Sequence, residues 1–258
     1  MTNNQKDTLV LFDVDGTLTM PRNQVTSNML EALAKLSDSG FSVGIVGGSD
    51  VSKIAEQLCK TQEALKFAFD YVFSENGLVA FQKDATENEG YIELSKNSMV
   101  QEIGEEKLQE IINFCLLYMS QITLPCKRGT FVEYRRGMLN VSPIGRACSQ
   151  KERDEFFQYD KQHGIRSDMV KALEDKFSSC NIKFSIGGQI SIDVFPVGWD
   201  KTYCLQFVEK THESIHFVGD KTSPGGNDYE IFSDERTIGH TVTCPEDTIK
   251  LIDEIIIS

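Results

Sequence analysis

From residue 8 to about 81, short apolar runs alternate with stretches whose apolar positions recur at helical spacing, a pattern that predicts an α/β fold with a parallel sheet. TLVLF (8–12) reads as the first strand. Met29, Leu30, Leu33 and Leu36 share one face of a helix capped by Thr26 or Ser27 and stopped at Gly40. SVGIVG is the next strand, Ser49 and Asp50 open a helix that turns Ile54 and Leu58 inward, and YVF and LVAF are further strands. The same grammar returns near residue 200. There a helix over DKTYCLQFVEK, a strand IHFVGD, a short helix after GGND and a strand HTVT precede a last helix with Pro245 in its first turn.

The middle of the chain is written differently. After the polar stretch DATENEG come helices near 105–121, 149–162 and 167–179, with hairpin-like strands around 130–141 and 183–195. The organisation expected is a core built from residues 1–85 and 197–258, interrupted by an α+β cap domain over 86–196 that acts as a lid on two hinges.

Charge narrows the partners. Lys and Arg total 26 against 39 Asp and Glu, a net charge of −13, which disfavours nucleic acid and points to small molecules. MTNNQKDT has no secretory character, no apolar run reaches membrane-spanning length, and the seven cysteines include no C-x-x-C pair. The expectation is a cytoplasmic protein with reduced thiols and no membrane partner.

Chemistry enters with LVLFDVDGTLT, where Asp13 and Asp15 follow an apolar strand and precede a glycine. Two like charges so close need a compensating cation, and Mg²⁺ held by carboxylates beside a phosphate is the usual one. The first carboxylate suits nucleophilic attack on a phosphoryl group and the second proton transfer; the competing reading is a pair of acids capping a turn. VGDKTSPGGND adds Asp220 at another strand end, with Asn227 and Asp228 beyond it. Ligands of open α/β sheets sit beyond the carboxyl ends of the strands, so Asp13, Asp15 and Asp220 are candidates to share one ion. In IVGGSD, Gly47, Gly48 and Ser49 could cradle a phosphate at a helix start, though such a run is also an ordinary loop. Lys201 could neutralise that phosphate or simply be solvated.

Six of the eight arginines lie between residues 128 and 166. Arg135 ends a strand, Arg146 follows a turn, and Arg153 sits in the first turn of a helix with a Ser149/Glu152 capping box, where a cation opposes the macrodipole. As a group they suggest a second phosphate site; singly, surface ion pairing explains each equally well. In QISIDVF, Ser191 and Asp193 share the face opposite Ile190, Ile192 and Val194, either to meet a ligand or merely as a wet face. The helix EEKLQEIINFCLLYMSQI carries one apolar stripe of Leu108, Ile111, Ile112, Cys115, Met119 and Ile122 and a second of Phe114, Leu117 and Tyr118. The second stripe asks for a partner or another cap element.

FDVDGTLT, IVGGSD, FSENGLVAF, RGTFVEYRRGMLNVSPIGRACSQKER, FSIGGQISIDVFPVGWDK and GDKTSPGGNDYEIF, in that order over essentially the whole chain, resemble the eukaryotic-type phosphomannomutases of the haloacid dehalogenase-like superfamily. The resemblance implies a Rossmann-like core with a parallel sheet plus an inserted cap. It also implies interconversion of mannose 6-phosphate and mannose 1-phosphate through an aspartyl-phosphate on Asp13, with Asp15 as acid and base and mannose or glucose 1,6-bisphosphate as activator. It assigns Arg22, Arg135, Arg146, Arg153, Ser191 and Asp193 to substrate and places a second, structural cation near Phe232, Asp234 and Thr237. It further implies a homodimer paired through the caps, working in GDP-mannose synthesis. The superfamily usually has Ser or Thr where this chain has Gly47 or Gly48, which leaves Ser49 as the hydroxyl candidate. A sugar-phosphate phosphatase on the same scaffold is the alternative.

Overall fold

The computed structural model describes residues 7–21, 23–84 and 90–257. Two compact units divide the chain, one from Met1–Lys96 and Gly198–Ser258, the other from Asn97–Val197. In chain order the first contains β1 (Thr8–Phe12), α1 (Ser27–Asp38), β2 (Ser42–Val46), α2 (Val51–Leu58), α3 (Gln62–Ala68), β3 (Tyr71–Ser74), β4 (Val79–Lys83) and β5 (Tyr91–Lys96). The second unit holds α4 (Met99–Ile103), α5 (Glu105–Gln121), β6 (Val132–Arg135), β7 (Met138–Val141), α6 (Gln150–His163), α7 (Ile165–Lys176), β8 (Ile182–Gly187) and β9 (Ser191–Pro196). The chain then returns through a 3₁₀ helix (Lys201–Phe207), β10 (Ser214–Gly219), α8 (Tyr229–Phe232), β11 (Ile238–Thr241) and α9 (Pro245–Ile257).

The core sheet runs β11-β10-β1-β2-β3-β4-β5, with β11 through β3 parallel and the last two strands antiparallel. Alternation sorts its side chains onto two faces. Val10, Phe12, Val43, Ile45, Val72 and Val218 pack with Met29, Leu33 and Leu36 of α1, Ile54 and Leu58 of α2 and Ile252 of α9. Leu9, Leu11, Val46, Phe73 and Phe217 pack with Cys204 and Leu205 of the 3₁₀ helix and Ile231 of α8. Both faces are thus covered, as a parallel sheet requires. Thr26 caps α1 by accepting from the Met29 amide, and Gly40, at φ +96°, ends it.

Three short elements were not anticipated: α3, α4 and β5. YIELSK is an edge strand with neither face buried, so its sequence carries no clean alternation. By pairing with β4 it moves the expected 85/86 crossing to 96/97; residues 85–89 of DATENEG lie outside the described residues. The segment expected to be an α-helix over 200–210 is instead 3₁₀ at 201–207, wound against Gly77, where an added Cβ would sit 3.0 Å from the Cys204 Cα. HTVT contributes only its first half to β11, which begins at Ile238.

The second unit is an antiparallel sheet, β6-β7-β9-β8. Leu139, Ile192, Val194 and Phe184 line its dry face, and Leu108, Ile111, Cys115 and Met119 of α5 and Met169 and Leu173 of α7 are buried in the same unit. The second stripe of α5 splits. Phe114 meets the Phe177 ring edge-on at 5.7 Å and lies beside Tyr118, so this unit covers part of it, whereas Leu117 is 59% exposed and Leu116 is exposed beside it. Among the described residues no helix is long and apolar enough to cross a membrane, and all seven cysteines are unpaired.

Candidate active site

β1 ends at Phe12, and the amide of Asp13 extends its ladder by donating to the Val218 carbonyl at 2.9 Å. This fixes Asp13 at the carboxyl edge of the sheet. β10 ends beside it and delivers Asp220, and the short turn after β10 brings back Asp228. One oxygen from each of Asp13, Asp220 and Asp228 falls within 4.8 Å of the others. Gly16, at φ +85°, gives the chain its exit from β1 and the space Asp220 needs: a Cβ there would stand 2.7 Å from the Asp220 Cγ.

Lys201 lies at the centre, 1% exposed. Its Nζ is paired with Asp13 Oδ1 and with Asp228 Oδ1 at 2.5 Å. Burial alone would lower its pKa, but the two carboxylates outweigh it and hold the ammonium above its ordinary value. Asp228 is fully engaged, since Oδ2 also accepts from the Lys221 amide at 2.9 Å. Asp13 Oδ2 accepts from the Thr17 hydroxyl at 3.5 Å. Burial and then the charge of Asp228, opposed by Lys201, push the Asp13 carboxyl up to about 6. Burial, reinforced by Asp228, likewise raises Asp220, whose Oδ1 is buried with no hydrogen-bond partner. An anionic oxygen left bare beside a second carboxylate is what a cation would complete, and hard oxygen donors fit Mg²⁺. Asp13 and Asp220 are the residues that would hold it.

Asp15 is outside that carboxylate group. Its Oδ1 accepts from Gln57 Nε2 of α2 at 2.8 Å. Among the described residues the carboxylates that come together are those of Asp13, Asp220 and Asp228, and the Asp15 side chain is not one of them. The alternation that would bring Asp13 and Asp15 together ends with the strand at Phe12.

The loop after β2 is as open as its glycines suggest. Gly48 is exposed, Ser49 is half-buried with its carbonyl accepting from Glu75, and Asp50 rather than Ser49 caps α2. The side chain of Asn76, itself at φ 63°, places Oδ1 3.7 Å from where a Gly48 Cβ would be. In the expected second cation site, both carboxylate oxygens of Asp234 are taken by Arg236 at 2.8 Å, and the Thr237 hydroxyl donates to the Ile231 and Asp234 carbonyls. Phe232 is joined to the end of β10's turn through its amide, which donates to the Asp228 carbonyl. Any cation there shares Asp234 with a guanidinium.

In the second unit, cross-strand register sets Glu133, Asn140, Asp193 and Ser185 side by side, with Arg135 and Ser191 on the same face. Asn140 is buried and joins the group: Nδ2 donates to Asp193 Oδ1 at 2.6 Å, and Oδ1 accepts from Ser191 Oγ at 3.0 Å and from Arg146 Nη1 at 2.5 Å. Glu133 pairs with Arg146 at 2.5 Å and Arg135 at 3.2 Å, while Arg153 donates to the Arg146 carbonyl at 3.0 Å. Burial raises Asp193, against the pull of Asn140, Arg135 and Arg146.

The six arginines do not act as one group. Arg166 is a core residue bound to Asp160 and to the carbonyls of Gly188 and Ser191, Arg128 pairs with Glu152, and Arg136 holds the Asn97 carbonyl. Arg135, Arg146 and Arg153 remain together. Arg22 lies outside the described residues. Sequence reasoning missed Asn140, Gln57 and the pairing of Lys201 with Asp228.

Residues 29–258 match the family model for eukaryotic phosphomannomutase. The phosphomannomutase of Spinacia oleracea is 56% identical over 250 residues, covering 97% of this chain and 96% of that protein, and that of Galdieria sulphuraria is 57% identical over 249 residues, covering 96% and 94%. In fold the chain is similar to a haloacid dehalogenase-like hydrolase from Bacteroides thetaiotaomicron (TM-score 0.56, 15% identity, 96% of this chain and 99% of that one). It is also similar to Plasmodium falciparum IMP-nucleotidase (TM-score 0.62, 16% identity, 97% and 68%).

Proposed function

The chain belongs to the eukaryotic phosphomannomutase family, and from that premise we propose how its residues interconvert mannose 6-phosphate and mannose 1-phosphate. The observation that carries the reading is Asp13, its Oδ1 held by a buried lysine and one of its oxygens within 4.8 Å of an oxygen of Asp220, whose Oδ1 is buried with no hydrogen-bond partner. Asp13 Oδ2 attacks a phosphorus of a hexose 1,6-bisphosphate; the bond from phosphorus to the sugar oxygen breaks, and an aspartyl-phosphate forms. Asp15 delivers a proton to the departing oxygen. In the second half Asp15 takes the proton from the free hydroxyl of the hexose monophosphate as that oxygen attacks the aspartyl-phosphate. The bisphosphate then reacts from its other end. Mg²⁺, between Asp13 and Asp220, would supply positive charge to the transferring phosphoryl group. Gly48, Ser49 and Lys201 contact that phosphoryl group in this reading. A structural cation on Phe232, Asp234 and Thr237 stays part of it, sharing Asp234 with Arg236.

Arg135, Arg146 and Arg153, with Ser191, Asp193 and the sequence-assigned Arg22, recognise the sugar and its second phosphate. For Arg146→Ala the expected loss on hexose phosphates is about 1.5–3 kcal/mol, roughly ten- to hundredfold in kcat/KM. A small aryl phosphate that needs only Asp13 and its neighbours should lose little. Equal losses on both substrates would assign Arg146 to folding instead.

The exposed Leu116 and Leu117 of α5 carry the proposal of a homodimer paired through this unit. Sedimentation at low micromolar concentration should give a dimer for the wild type and monomers for Leu117→Glu; an unchanged dimer in the variant moves the interface elsewhere. Seven unpaired thiols suit the cytoplasm, where mannose 1-phosphate feeds GDP-mannose synthesis.

The deciding assay couples mannose 1-phosphate conversion to detection of mannose 6-phosphate, with and without glucose 1,6-bisphosphate, while free phosphate is recorded. Bisphosphate-dependent isomerisation, lost in chelator and restored by Mg²⁺, is expected. Phosphate released in step with every turnover would make the protein a phosphatase.

A further inference from the structure

We propose that Asn76 is a positioning residue that joins the loop after β2 to the segment carrying Lys201, an inference that rests on Gly48, Ser49 and Lys201 meeting the transferring phosphoryl group. β3 and β4 pair as a hairpin, and the turn between them runs through three consecutive left-handed residues, Glu75 at φ 48°, Asn76 at 63° and Gly77 at 101°. That conformation is costly for a residue with a Cβ, though less so for asparagine than for most. The turn aims two backbone amides at the neighbouring loop. Glu75 donates to the Ser49 carbonyl at 3.0 Å and Asn76 to the Gly47 carbonyl at 2.9 Å. The hairpin backbone thus holds residues 47–49 from both ends.

The side chain adds a link that the backbone does not make. Asn76 Nδ2 donates to the Trp199 carbonyl at 3.1 Å. Trp199 is buried, and the 3₁₀ helix that follows begins at Lys201, capped by Asp200, whose Oδ1 accepts from the Thr202 amide at 3.0 Å. The bond therefore sets the start of the helix from which Lys201 reaches Asp13 and Asp228. A carbonyl only accepts, so the amide must turn its nitrogen to Trp199. Oδ1 is left on the side of Gly48, 3.7 Å from where a Cβ there would stand. One residue thus fixes the loop donors and the buried cation relative to each other, although the link spans 123 positions of sequence.

Glycine separates the turn from the link. Asn76→Gly eases the left-handed backbone and keeps the amide that donates to Gly47, while the bond to Trp199 is lost. Its melting temperature should stay within a few degrees of the wild type. With Mg²⁺ present, inhibition by orthovanadate, a mimic of the transferring phosphoryl group, should weaken about tenfold. Loss of kcat/KM should be roughly 10- to 100-fold on hexose phosphates and on a small aryl phosphate alike, since both deliver the same group. Asn76→Asp keeps the shape and the tolerance of a left-handed φ but, once ionised, has nothing to donate to Trp199. It should lose at least as much, and it serves if the glycine variant melts early. Ser49→Ala tests the underlying reading, because removing a hydroxyl that touches the phosphoryl group should weaken vanadate severalfold. Wild-type vanadate affinity and kcat/KM in Asn76→Gly, beside a weakened Ser49→Ala, overturn the role of Asn76 alone. Losses that appear only together with a lowered melting temperature in both Asn76 variants assign the residue to folding and overturn it equally. Unchanged vanadate affinity in Ser49→Ala overturns the placement of the loop against the phosphoryl group, and the inference with it.

Discussion

Asp13→Asn should eliminate turnover, by roughly 10⁴- to 10⁶-fold, the loss typical when a covalent nucleophile is removed. The substitution is close to isosteric. Its amide oxygen still accepts from Lys201, so the strand end and the buried lysine keep their places while the attacking oxygen is gone. Circular dichroism and thermal melting should consequently change far less than the rate. After incubation with glucose 1,6-bisphosphate, mass spectrometry should find a phosphoryl group on Asp13 in the wild type and none in the variant. Phosphate on a serine or histidine would sink the mechanism, as would near-normal turnover by the asparagine protein.

Lys201→Met carries the largest expected cost in stability. Methionine fills much of the same space but leaves Asp13 and Asp228 facing one another, both buried, with Asp220 close by. Breaking a buried ion pair by removing one partner typically costs about 3–5 kcal/mol. At about 2–4 °C per kcal/mol for a domain of this size, the melting temperature should fall by roughly 6–20 °C. The deficit should depend on pH with a definite sign. Without the lysine the folded-state pKa of Asp13, already raised to about 6, rises further above the unfolded value, so the folded state takes up protons that the unfolded state does not, and stability returns as pH falls through that range. A variant that melts like the wild type at neutral pH would show that the lysine's charge does not hold the cluster together.

The parts of this site that could be read from the sequence are those fixed by local grammar. Asp13 and Asp220 each follow an apolar strand, and strand ends in a parallel sheet share an edge. The Ser149 capping box and the alternation in QISIDVF were legible for the same reason and are present as expected. What could not be read depends on contacts across long separations. Lys201 meets Asp13 across 188 residues, and a lysine near a turn looks the same whether it is buried or solvated. Arg146 and Arg166 belong to one compositional cluster, yet one faces the polar side of a sheet and the other is sealed against Asp160. Gln57 and Asn140 are amides, which carry neither charge nor hydrophobic periodicity to mark them. β5 went unread because an edge strand with no buried face has no pattern to show.

The order of strands in the core sheet also constrains synthesis. β1 lies between β2, which begins 30 positions after Phe12, and β10, at Ser214–Gly219. As the chain leaves the ribosome, one edge of β1 is covered early. The other presents open amides and carbonyls until more than two hundred residues have been made, the whole of Asn97–Val197 among them. The most apolar strand of the protein thus waits as an unpaired edge, the configuration most prone to pairing with another chain. The inserted unit, whose strand pairings all fall within itself, can complete its sheet in that interval. The sequence order therefore lets the inserted unit fold before the core sheet is complete, and Asp13 gains its counter-charge from Lys201 only when nearly four-fifths of the chain exists.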